Sequence, residues 1–140
     1  LTGRENISLT ASIYGFDRKA IREIEEEIIE FSGIRSFIDD PMRTYSAGMR
    51  ARLGFAIISN LDPDILLMDE VMSVGDHEFR KKSRARIEEL VKSDATVVIV
   101  SHSKAILKSL CDKVYFIRQG QIMNDGDFET AFELYETVAA

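Results

Sequence analysis

Two short apolar runs, "ILLM" at 65–68 and "TVVIV" at 96–100, lie on either side of a long charged stretch at 77–92. Both runs are shorter than a core helix. The second consists wholly of β-branched residues, which suit a strand. Strands alternating with helices call for a parallel α/β sheet, and few other folds accept this order. The first run also poses a chemical problem, because it leads directly into Asp69 and Glu70. Burying an unpaired carboxylate is costly, so an apolar run that ends in two acids must deliver them to something cationic or reactive.

The residues before about 60 read differently. Thr2 and Glu5 have capping-box spacing, predicting a helix that carries Ile7, Leu9 and Ile13 and ends at Gly15. Asp17 opens a second helix, in which Ile21, Ile24, Ile28, Ile29 and Phe31 recur near the helical period and the intervening glutamates form a solvated face. Gly33 and Pro41 break the chain into a short helical turn and a loop, and Ser46 then starts a helix that runs to about Asn60. Beyond the second apolar run the sequence predicts a helix in "SKAILKSLC", a pair of strands in "KVYFIRQGQIMNDG" turning near Gly120, and a closing helix in "DFETAFELYETV". The expected organisation is an all-helical part, 1–60, followed by an α/β part, 61–140.

With 140 residues, the chain is long enough to bury a real core. Its 45% hydrophobic and 30% charged residues form an ordinary globular mixture with no apolar run that could span a bilayer, so a cytoplasmic location is expected. A net charge of −6 argues against a broad nucleic-acid surface, and Arg50, Arg52 and the cations from Arg80 to Arg86 read as solvated helix faces. The single cysteine, Cys111, has apolar neighbours and reads as an inert core thiol; His77 reads as a surface residue.

Four local features carry chemistry. In "YSAGMRARLGFA", Ser46 at a helix N-cap is followed by Ala47, Gly48 and Met49, and the unobstructed first-turn amides can receive a phosphate. Alone, the stretch reads first as an ordinary capped helix with small residues. At the end of the "ILLM" strand, Asp69 can hold Mg²⁺ through water while Glu70 polarises an attacking water, or both can simply be solvated. "SVGD" places Asp76 after a small-residue turn, where the plain reading is a helix cap. His102 follows "TVVIV", so an imidazole ends a strand on the sheet edge where ligands gather, a fair candidate for a γ-phosphate sensor.

In order and spacing these four features resemble the ATP-binding cassette (ABC) ATPases. "YSAGMRARLGFA" is similar to the signature motif, commonly LSGGQ; "DILLMDE" to the Walker B strand with its catalytic glutamate; "SVGD" to the D-loop; and "SH" at 101–102 to the switch histidine. The forms "LTGREN", "YSAGMRARLGFA" and "DEVMSVGD" are similar to ATPase subunits of exporters for lipid-linked polysaccharides such as O-antigen, capsule and teichoic-acid precursors. The resemblance implies a P-loop NTPase fold preceded by a helical subdomain. It also implies a homodimer that clamps two ATP molecules with Mg²⁺ and a transmembrane permease driven from the inner face of the cell membrane. In that scheme Ser46, Ala47, Gly48 and Met49 face the γ-phosphate held by the other subunit, Asp69 holds Mg²⁺ through water, Glu70 orients the attacking water, His102 reads the γ-phosphate and Asp76 joins the two sites.

The sequence contains no G-x-x-x-x-G-K-[ST] loop. Family comparison puts that loop before residue 1, so the chain is expected to be the C-terminal part of a nucleotide-binding domain, inactive alone. In the family's sheet the P-loop strand separates the strand like "TVVIV" from the one like "VYFI". Without it, the two strands are expected to close up on each other, to pair with another copy, or to leave the fragment partly misfolded, with a dimer preferred. Competing readings are a non-catalytic interaction module and a soluble ABC ATPase acting on DNA.

Overall fold

The computed structural model describes residues 1–69 and 75–139, and its chain divides into two compact units. One holds residues 1–66 with the described part of 71–97; the other holds 67–69 with 98–139.

The first unit is helical. Helix α1 (Gly3–Ile13) begins in the predicted capping box, with Thr2 Oγ1 accepting from Glu5 N at 3.2 Å and Glu5 accepting from Thr2 N at 2.8 Å. Its buried stripe is Gly3, Ile7 and Ala11; Leu9 and Ile13 are exposed because they fall off this four-residue spacing. Helix α2 (Arg18–Ser32) starts at Asp17, whose carboxylate accepts from Lys19 N and Ala20 N, and stops at Gly33 in the left-handed conformation. Two 3-10 turns (Arg35–Phe37 and Met42–Thr44) lead to α3 (Ala47–Asn60), and α4 (His77–Lys92) follows. Helices α1, α2 and α3 pack round Ile7, Ile28, Ile29, Leu53 and Ile57, all almost wholly buried. The junction of α2, α3 and α4 is aromatic: Phe31, Phe55 and Phe79 have centroids 5.9–6.1 Å apart, and Phe79 meets both others edge-on. Arg86 on α4 donates two hydrogen bonds to Ser59 O, at 3.0 and 2.8 Å, and one to Asp62 at 2.9 Å, closing the C-terminal end of α3.

Strands β1 (Ile65–Asp69) and β2 (Thr96–Val100) form a two-stranded parallel sheet through the α4 crossover. Along β1, Leu66 and Met68 are buried while Ile65 and Leu67 are exposed, the alternation of a strand with one covered face.

In the second unit, α5 (Lys104–Leu110) and α6 (Phe128–Ala139) enclose a small core of Leu107, Val114, Ala131 and Phe132. The predicted strand pair shrinks to β3 (Ile117–Arg118) and β4 (Gln121–Ile122), antiparallel. Gln119 and Gly120 turn the chain with positive φ, and beyond the short strands the Asn124 side chain accepts from Phe116 N and donates to Val114 O, between the backbone bonds Met123 N to Phe116 O and Val114 N to Gly126 O. Strands β2 and β3 lie in separate sheets among the described residues, so of the three expected outcomes the closing-up of these two strands is not the one observed.

Candidate functional site

Ser46 sits at the N-cap of α3, with extended backbone and its Oγ accepting from Met49 N at 3.1 Å. Ser46, Ala47 and Gly48 are exposed, whereas Met49 turns inward onto the helical core. A side chain at Gly48 would meet only Ser46 Oγ, at 3.8 Å, so the first turn is open to a ligand. Its amides and the helix dipole fit an oxyanion such as phosphate.

Asp76 belongs to the same unit. It caps α4 through Phe79 N at 2.9 Å, as expected, and its second oxygen accepts from Arg52 of α3 at 2.5 Å. The Phe79 backbone N–H and the Arg52 guanidinium hold this carboxyl below its ordinary range. Arg52 also lies over the Phe79 ring, 5.2 Å from its centroid. The expectation that Arg52 lies on a solvated face is thereby corrected, since its side chain is only 23% exposed.

In the second unit, Asp69 ends β1 as an exposed carboxylate directly after buried Met68. Its neighbour strand β2 runs into His102, so both groups stand at the carboxyl ends of paired parallel strands. Glu70 lies outside the described residues. No group of three or more metal-ligating side chains occurs among the described residues.

His102 sits in a tight turn between two serines. Ser101 Oγ accepts from Ser103 N at 3.1 Å, and Ser103 Oγ caps α5 through Ile106 N at 3.4 Å. The imidazole Nδ1 is 3.0 Å from the Tyr135 hydroxyl on α6. His77 is exposed, as expected, and Cys111 is a free, half-buried thiol whose pKa is pushed up by burial and then by Asp112.

No protein-family model matches the chain. Among proteins of known role, it is 44% identical over 140 residues to the O-antigen export system ATP-binding protein RfbB of Klebsiella pneumoniae, covering all of this chain and 57% of that relative. It is 40% identical over 136 residues to the teichoic acids export ATP-binding protein TagH of Shouchella clausii (strain KSM-K16), covering 97% of this chain and 38% of the relative. A solved ATP-binding subunit of an ABC transporter superposes with a TM-score of 0.84 at 18% identity, over all of this chain and 58% of the other. Over its whole length the chain is similar to ATP-binding proteins of ABC exporters. It spans about half the length of the RfbB relative that it matches.

Arg52 beside Asp76 in the first unit and Tyr135 beside His102 in the second were not read from the sequence as partners of those residues. Arg52 lies 24 positions before Asp76, and Tyr135 lies 33 positions after His102. The spacing of Arg52 within "SAGMRAR" is the only sequence signal, and Tyr135 has none.

Proposed function

We propose that this chain is the signature and Walker B part of an ATP-hydrolysing subunit that powers export of a lipid-linked polysaccharide, in the manner of O-antigen or teichoic-acid export. The observation that supports this best is the placing of Asp69 and His102 at the ends of adjacent parallel strands, in a chain homologous throughout to export ATP-binding proteins. Ser46, Ala47 and Gly48 present a helix N-terminus to the γ-phosphate of an ATP held by a second subunit, while Met49 packs inward beneath them. Asp69 holds the water shell of Mg²⁺, which when bound neutralises charge on the phosphates. Glu70 takes a proton from the attacking water, and His102 donates to the γ-phosphate. Asp76 links the two sites of the dimer. A permease in the membrane receives the resulting movement at the cytoplasmic face.

With no glycine-rich phosphate loop in its sequence, the chain alone should neither bind ATP measurably nor turn it over. Joining it to the part of RfbB outside the match should restore hydrolysis. In that chimera Glu70→Gln should lower kcat by roughly 10²- to 10⁴-fold, the usual contribution of a general base. Turnover by the isolated chain, abolished by Glu70→Gln, would overturn the reading.

A further inference from the structure

The residue just before the capping serine is held at both ends. Tyr45 is 3% exposed, and its hydroxyl donates to Phe37 O at 2.6 Å. Gly3, at the start of α1, turns its N–H toward the same oxygen and leaves no room for a Cβ beside it. Burial pushes this phenol above its ordinary range, so it stays protonated and able to donate. At the other end, the guanidinium of Arg50, in the first turn of α3, donates to Tyr45 O.

The loop that leads to Tyr45 is fastened to the same end of α1. Met42 N donates to Leu1 O at 2.9 Å, Arg4 N to Ile38 O at 3.0 Å, and Arg4 Nε to Asp39 at 2.8 Å. All of these residues lie in the first unit. A helix start held only by its own turn frays. Here the backbone that enters Ser46 is tied to a second helix as well. We propose that Tyr45, anchored through its hydroxyl and its carbonyl, is a positioning residue for the Ser46 turn: it fixes where the N–H groups of Ala47 and Gly48 stand when they meet the γ-phosphate. A shift of about 1 Å in such a group can cost about 10²-fold in rate, even when the altered residue is remote from the reacting atoms. This rests on reading Ser46, Ala47 and Gly48 as the phosphate-facing turn, but the first part of its test needs no nucleotide.

That part is amide hydrogen exchange of the 140-residue chain. Tyr45→Phe keeps the buried ring and removes only the hydroxyl. Exchange at Met49, whose N–H is held by Ser46 Oγ, should speed up by about tenfold, and exchange in α2 by much less. Equal factors in both places would overturn the proposal. If that variant does not fold, Arg50→Ala releases the carbonyl end from an exposed position and should have the same local effect. Unchanged exchange at Met49 would then decide against it. In the RfbB chimera, Tyr45→Phe should lower kcat by about tenfold or more with little change in KM for ATP, because the other subunit holds the nucleotide. Ile57→Ala, which loosens the same core away from this loop, should keep a kcat near that of wild type below its Tm. An unaltered kcat in Tyr45→Phe, or equal losses in the two variants, would refute the positioning role. Intact turnover in Gly48→Leu, which fills the open turn, would instead count against the phosphate-facing reading.

Discussion

At the residue scale, the pair Arg52 and Asp76 joins the helix that begins at Ser46 to the helix that begins at Asp76. Its effect is separable from capping, because asparagine caps helices about as well as aspartate but forms no ion pair. Asp76→Asn should therefore lower Tm, and Arg52→Ala should add little in that background. The pH dependence has a definite sign. A carboxyl held below its ordinary pKa stabilises the native state above the unfolded value, and that stability is lost as pH falls through the native one. The Tm advantage of wild type over Asp76→Asn should be complete above about pH 5, shrink as pH falls past the ordinary aspartate value of about 4, and vanish only below the lowered native pKa. An advantage that persists in acid would show that the carboxylate is not the stabilising form. The cap at Asp76 is legible because caps are local, whereas its bond to Arg52 depends on how α3 and α4 pack.

At the scale of elements, the helices were legible down to their first residues. The side chains that start them, Thr2, Asp17, Ser46 and Asp76, act on amides no more than three positions away. Which face of α1 turns inward was less clear, since Leu9 and Ile13 compete with Ile7 and Ala11 on hydrophobicity and lose on spacing. The hairpin was over-read because the Asn124 side chain interrupts pairing that apolar pattern alone assigns to strand. Gly3 gives a prediction opposed to helix propensity, which favours alanine over glycine by about 1 kcal/mol. A methyl group at Gly3 would lie 2.4 Å from Tyr45 Oη and 2.9 Å from Ile38 Cδ1, and that hydroxyl is committed to Phe37 O at 2.6 Å in a buried setting. Gly3→Ala should therefore lower Tm. Ile57→Ala, at 1% exposure, should cost about 2–5 kcal/mol in urea unfolding, whereas Ile13→Ala, at 74% exposure, should stay within about 0.5 kcal/mol.

At the scale of the molecule, apolar side chains remain in solvent along both strands of the parallel sheet. Leu67 is 73% exposed, Val98 48% and Val100 57%. Strand β2 pairs only with β1 among the described residues. An apolar strand with an open edge favours association. The isolated chain should sediment as more than a monomer, increasingly so at higher concentration, and Leu67→Lys should shift it towards the monomer. A clean monomer across the range would refute this. The α/β class was readable because strand and helix periods differ, and the helix starts and strand ends that carry the candidate residues because each lies within a single element. The pairing of strands was less so, since hydrogen bonds between distant segments leave little trace in either one.

The meeting of Phe31, Phe55 and Phe79 has a practical use. The chain contains no tryptophan, so a single indole in place of Phe55 would be its sole strong fluorophore, sited where three helices converge. Its emission would give an optical record of any loosening between α3 and its neighbours, distinguishable from the four tyrosines by its longer wavelength.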